Sequence, residues 1–243
     1  MMGIMKYIFV ATLAMLPVAS FAKSSYNTSA FAIYEHASDR ITLDGVSTRY
    51  GIGAAGIEVS KQITPEALTL IRYGVGYHPS YNLQSFGTEF TGPVTGTLLE
   101  LGLELDISKD LISGSAIEFR FSDRHVFSNK MTGVRNGRNY KTSTDATMTS
   151  TEIRLSKEFA MDANSKLKLF AGINNWSLKA LGTAYSSSFT VQKRVTGANQ
   201  DFVSGFSYGT QFFGKITTLG LTYRQLRADN TVDTLELLTT IEF

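Results

Sequence analysis

The chain ends on Val232-Asp233-Thr234-Leu235-Glu236-Leu237-Leu238-Thr239-Thr240-Ile241-Glu242-Phe243. Leu235, Leu237, Thr239, Ile241 and Phe243 share one parity, while Thr234, Glu236, Leu238, Thr240 and Glu242 share the other. Successive side chains of a strand point to opposite faces, so this segment reads as a strand with one apolar face and one mainly polar face.

The same alternation runs upstream. Thr97, Leu99, Leu101, Leu103, Leu105 and Ile107 alternate with Leu98, Glu100, Gly102, Glu104 and Asp106; Ile117, Phe119 and Phe121 alternate with Glu118, Arg120, Ser122 and Arg124. Thr69, Ile71, Tyr73, Val75 and Tyr77 oppose Arg72, Gly74, Gly76 and His78, and comparable patterns surround Ile153–Leu155 and Leu219–Tyr223. The polar face carries both signs of charge and the apolar face is rich in aromatics, which suits a barrel with lipid outside and charge within. Ten segments follow, near 26–37, 49–61, 67–78, 95–107, 114–125, 148–160, 166–178, 201–212, 216–226 and 232–243. Their spacers alternate between short (62–66, 108–113, 162–165, 213–215) and long (79–94, 126–147, 179–200), the short ones expected as periplasmic turns and the long ones as external loops. The expectation is an all-β, closed, antiparallel up-and-down transmembrane β-barrel of ten strands. An eight-strand count is the alternative, and twelve would need a further hairpin within Ala180–Val195. The first strand is the least regular, because Phe31 and Ile33 share a face with Glu35.

Composition narrows the class. The chain has 243 residues, 43% hydrophobic and 18% charged, with 23 Lys+Arg against 21 Asp+Glu and no Cys. Without Cys there are no disulfides, thiolate metal sites or cysteine nucleophiles. A net charge of +2 leaves no nucleic-acid footprint. Mean hydropathy near zero excludes a bundle of membrane helices. Residues 1–22 read as a signal peptide, with Lys6, an apolar run from Tyr7 to Leu16, Pro17 as a breaker, and Ser20-Phe21-Ala22 at the cleavage site. Residues 23–243 are then a single barrel domain. Tyr26, Tyr50, Tyr77, Phe121, Phe159, Phe202, Phe212, Tyr223 and Phe243 stand near strand ends, where interfacial girdles belong.

The signal peptide, the alternating strands with mixed charge on one face, and the terminal Phe243 together resemble the small bacterial outer-membrane β-barrel proteins of the OmpA-like and opacity-like kind. That resemblance implies residence in the outer membrane, assembly by the barrel-assembly machinery reading Ile241 and Phe243, and contact with outer-membrane lipid and lipopolysaccharide. It implies roles from envelope structure to adhesion to narrow transport. Leu238 departs from the pattern, standing where that terminal signal often carries Gly.

Inward parity collects Glu58, Arg72, Glu100, Glu104, Glu118, Arg120, Arg124, Glu152, Arg154, Glu158, Arg224 and Glu236. Buried charge is costly unless paired, so these groups either interlock as a structural plug or line water in a narrow pore for small solutes; a proton relay is a third option. Lys130, Arg135, Arg138, Lys141, Lys193 and Arg194 make the external segments basic and suit lipopolysaccharide phosphates or another anionic surface ligand. Asn136-Gly137 is a turn signal at the tip of the longest of these segments.

Other motifs carry less. Gly51-Ile52-Gly53-Ala54-Ala55-Gly56 fits the dinucleotide fingerprint, but a strand-like Ile57-Glu58-Val59-Ser60 follows it in place of a helix, and glycines leaving room in a barrel wall account for it. His36, His78 and His125 fall at the outer ends of odd strands, the ordinary place for His at a polar rim. His78-Pro79-Ser80 with Glu89 is similar to the His-x-Ser arrangement of outer-membrane lipid A deacylases, which keeps a lipid-acting hydrolase as a second alternative. The omptin proteases need Asp pairs and an Asp/His pair on external loops; 79–94 has no Asp, and 179–200 has neither Asp nor His. The reading is a non-enzymatic barrel with no cofactor and no metal.

Overall fold

A computed structural model describes residues 26–108, 112–186 and 190–243. The expected signal peptide, 1–22, lies outside the described residues. Ten strands follow in order: β1 (Asn27–Leu43), β2 (Val46–Thr64), β3 (Ala67–Ser85), β4 (Thr88–Asp106), β5 (Ser115–Arg135), β6 (Arg138–Ala160), β7 (Ser165–Tyr185), β8 (Thr190–Phe212), β9 (Lys215–Arg227) and β10 (Thr231–Glu242). Each pairs antiparallel with its sequence neighbours, and β1 pairs with β10 from Ser29↔Glu242 to Ala37↔Thr234, which closes the barrel. The ten-strand count therefore holds. Residues 180–185 and 190–195 belong to β7 and β8, so no further strands are added among the described residues.

The two faces are sorted as the alternation requires. Ile71, Tyr73, Val75, Leu99, Leu101, Phe119, Ile153, Leu155, Leu235 and Leu237 point outward with 36–60% exposure, while Arg72, Glu100, Glu118, Glu152, Arg154, Arg224 and Glu236 are buried within. An apolar belt around a closed sheet with charge inside is the arrangement hydrocarbon stabilises and water does not. Exposed Tyr26, Phe159, Phe212 and Phe243 rim the end that carries both termini. At the other end the outward apolar run stops at a polar residue on β5, β8, β9 and β10: Asp123 after Phe121, Gln200 beyond Phe202, Gln225 after Tyr223 and Asp233 before Leu235. The Tyr50 side chain lies outside the described residues.

The three long external loops are not loops. Residues 79–94 continue β3 into β4, residues 126–147 continue β5 into β6, and most of 179–200 continues β7 and β8, so that β6 and β8 each reach 23 residues. A membrane strand needs about 9–11 residues, so these hairpins project well past the bilayer. Past the belt the outer wall meets water, outward positions turn polar, and the period-two signal that marks a strand fades. The hairpins close through two-residue turns with both central residues at positive φ: Asp44-Gly45 (50°, 70°), Phe86-Gly87 (53°, 67°) and, as expected, Asn136-Gly137 (50°, 73°). This is the turn geometry whose twist matches paired strands.

Register shifts occur between His78 and Tyr81 on β3 and between Ser128 and Met131 on β5. Each switches the inward parity from even to odd: Arg72 and Gly74 face in below the shift on β3, Tyr81 and Leu83 above it. The inward face above is apolar. Tyr81, Leu83, Phe90, Val94, Met131 and Ala184 form one buried cluster, and Ala37, Ile41, Trp176, Leu226 and Val232 another. Lower down, inward Phe31 lies against Gly74, where an added Cβ would stand 2.6 Å from the ring's Cζ, and Gly56 pairs directly with Gly74. The last glycine of the fingerprint-like run therefore makes room in the wall.

Placement of the belt is testable. Leu237→Arg puts a cation on the lipid face and is expected to cost about 2–4 kcal/mol, whereas Thr147→Arg, outward but beyond the belt, costs about 1 kcal/mol or less. Urea unfolding midpoints of the two variants in phospholipid vesicles check this.

Candidate functional site

The enclosed charges form two ion-paired sets that line one void. On β3, Arg72 stands between two cross-strand neighbours, Glu58 of β2 and Glu100 of β4, and binds both, at 2.5 and 2.8 Å. Arg120 of β5 takes the other oxygen of Glu100 at 2.9 Å and Glu118 at 3.2 Å. Glu104 and Glu118 face each other directly across β4 and β5. Like charges so placed repel, and Lys168 of β7 spans the bore to bind them at 2.7 and 3.2 Å. The same solution recurs where Glu35 of β1 opposes Glu236 of β10. Arg124 of β5 binds both of them, and Arg224 of β9 joins Glu236 at 2.9 Å, Glu35 at 3.7 Å and Glu152 at 2.6 Å. Arg154 closes on Glu152 through two donors. Two guanidinium groups also cover inward rings, Arg72 over Phe31 at 5.2 Å and Arg154 over Phe170 at 4.3 Å.

Six cations (Arg72, Arg120, Arg124, Arg154, Lys168, Arg224) thus interlock with seven carboxylates (Glu35, Glu58, Glu100, Glu104, Glu118, Glu152, Glu236). Of the expected set, Glu158 alone stands apart: it pairs with Lys166 at 2.9 Å in the mouth near the termini, half in solvent. Glu35 and Lys168 join unforeseen. Glu35 shares its parity with Phe31 and Ile33, and all three prove inward, 2–6% exposed. The irregularity of the first strand was itself the signal. Above the network, Asp201 accepts from the Trp176 indole at 2.7 Å and the Arg227 backbone N–H at 2.9 Å, and binds the Arg227 guanidinium.

The void that this network encloses is about 50 Å³, walled by Glu100, Glu118, Arg124, Glu152, Arg224 and their neighbours. Toward the termini the bore widens into a vestibule of about 640 Å³ lined by Glu158, Asp162, Lys166, Gln211 and Thr218. In the turn beside it, Asp162 accepts from the Ser165 hydroxyl and the Asn164 N–H, which holds its carboxyl below the usual range.

The basic residues do not form a single patch. Lys193 points inward and donates to the Asp44 carbonyl, and Arg135 donates to the Phe86 carbonyl at 2.7 Å, each tying one hairpin tip to another. Lys130, Arg138, Lys141 and Arg194 are exposed. The histidines lie inside extended strands. His125 bonds Asp145 at 2.8 Å, His78 packs edge-on against Tyr81 at 5.9 Å and His36 stacks on Tyr34 at 6.4 Å. The Ser80 side chain lies outside the described residues. Among the described residues no group of three or more His, Cys, Asp or Glu is placed to hold a metal.

Closure, an apolar belt and an ion-paired lumen define the class: this chain has the fold of the bacterial outer-membrane transmembrane β-barrels. No family model matches the sequence, and no curated protein matches it. Among solved structures, the translocator domain of the autotransporter NalP from Neisseria meningitidis is similar over 98% of this chain and 94% of its own, with a TM-score of 0.58 at 9% identity. The outer membrane protease OmpT from Escherichia coli is similar over 93% of this chain and 98% of its own, with a TM-score of 0.62 at 7% identity. Likeness at such identity is a likeness of fold.

Breaking a buried pair strands its partner, which costs about 3–5 kcal/mol, whereas an exposed pair is worth about 1 kcal/mol or less. Arg224→Met, which abandons Glu152 and Glu236, is therefore expected to lower the unfolding midpoint far more than Lys166→Met at the exposed Glu158 pair. Equilibrium unfolding in vesicles, followed by the loss of β-sheet circular dichroism, compares them.

Proposed function

We propose that this chain is an integral, non-enzymatic protein of the bacterial outer membrane, with a lumen closed by an ion-paired plug and external hairpins that contact lipopolysaccharide and surface ligands. The small void inside the charge network carries this reading. About 50 Å³ admits a few waters and no solvated solute. The apolar clusters above the network add a second closure on the outer side. Exposed Lys130, Arg138, Lys141 and Arg194 supply cations where lipopolysaccharide phosphates lie. Assembly by the barrel-assembly machinery through Ile241 and Phe243, after removal of residues 1–22, belongs to the same reading.

Planar-bilayer recording tests the plug. The wild-type protein is expected to give no stable conductance steps, and stable steps proportional to salt would replace the plug with a pore. For the outer surface, changing Lys130, Arg138, Lys141 and Arg194 to Gln should weaken lipopolysaccharide binding in a co-sedimentation assay, with the difference shrinking as salt screens it.

A further inference from the structure

A separate cavity of about 310 Å³ lies at the far outer end, above the apolar cluster and well away from the charge network. Its walls come from five different strands and one turn: Phe86 in the β3–β4 turn, Phe90 of β4, Arg135 of β5, Tyr140 of β6, Ala184 of β7 and Val191 of β8. The lining is apolar and aromatic apart from Arg135 and Thr88. Phe90, Met131 and Ala184, 0–3% exposed, pack between the cavity and the rest of the bore.

Arg135 is the one cation in the lining, and it is exposed. Arg135 Nη1 donates to the Phe86 carbonyl at 2.7 Å, and among the described residues the guanidinium forms no ion pair. A guanidinium has five N–H donors in a planar fork that matches a carboxylate.

We propose that this cavity is a binding site for an amphipathic carboxylate with an apolar body of about ten carbons, its chain against Phe86, Phe90 and Tyr140 and its head on Arg135. The size follows from the volume, since each carbon takes up roughly the 30 Å³ of a liquid water. The sign of the head group follows from Arg135. Ligand enters from outside and is held there, because Phe90, Met131 and Ala184 stand between the cavity and the rest of the bore.

The probe is 2-naphthoate, which is fluorescent, soluble and of the right size, added to the full barrel in phosphatidylcholine nanodiscs, with empty nanodiscs subtracted. Neutral 2-naphthalenemethanol and cationic 2-naphthylmethylammonium are run beside it. Saturable binding is expected in the order carboxylate, alcohol, ammonium, with the carboxylate favoured about tenfold or more over the alcohol. Arg135→Gln should erase that preference and leave alcohol binding unchanged, while Arg135→Lys should restore most of it, which a merely structural arginine would not. Ala184→Phe, filling the cavity from β7, should abolish binding of all three while the barrel keeps its folded electrophoretic mobility before boiling. Binding no greater than to empty nanodiscs overturns the site, as does binding indifferent to Ala184→Phe. Equal affinity for carboxylate and alcohol overturns its ligand class.

Discussion

The constraint on which everything else rests is that a peptide N–H or C=O in hydrocarbon has no water to bond. A sheet inside a bilayer must therefore have no edge, and the pairing of Ser29–Ala37 with Thr234–Glu242 removes it. Closure fixes the sorting of side chains in turn. Once the wall is continuous, every second residue faces lipid and the rest are shut in with one another. The belt of Leu, Ile, Val and aromatic residues follows from the first half of that statement, and the lumen from the second.

The lumen then has to fill a narrow bore with side chains that reach its axis. Arg, Lys and Glu do so, but each is costly to bury alone. The arrangement offsets that cost by sharing. Arg224 reads carboxylates on β1, β6 and β10; Lys168 reads β4 and β5; Arg124 reads β1 and β10. A one-residue slip of any strand would move its charges to the lipid face and leave cations on other strands unmatched. The network thus specifies register on every strand that carries one of its charges, and two pairs of facing glutamates within it tolerate each other only with a cation between them.

What was legible in the sequence was what lipid imposes. Leu99 to Leu105 and Leu235 to Phe243 could be read because hydrocarbon demands an apolar residue at every second position. The inner ends of the strands were placed within a few residues for the same reason. Past the belt the outer ends vanished into apparent loops, since Asp145 and Gln192 face water whether a strand is present or not. The parity switches at His78/Tyr81 and Ser128/Met131 broke what alternation remained. Asn136-Gly137 announced its turn, whereas Phe86-Gly87 did not, because Phe is not a turn residue. Within the site, charges on regular strands were found. Glu35 was hidden by apolar neighbours on its own face. Lys168 needed the third dimension, as its partners lie across the bore on β4 and β5 and not on the strands beside it.

The position of the apolar clusters follows from the same physics. Hydrophobic burial stabilises only where the alternative is water. Within the bilayer the outside of the wall is itself oil, so the bore is held mainly by directional ion pairs, with one smaller apolar cluster of Phe31, Ile33 and Leu98 beside them. Beyond the bilayer water lies on the outside of every hairpin. There the ordinary rule returns, and Tyr81, Phe90, Met131, Ile41, Trp176 and Val232 gather inside while polar residues cover the exterior. On β3 and β5 the parity switches separate the two regimes: charged residues face in below them, and Tyr81, Leu83 and Met131 face in above. A barrel wall that is one continuous sheet therefore encloses a mainly charged interior where lipid lies outside and a mainly apolar one where water does.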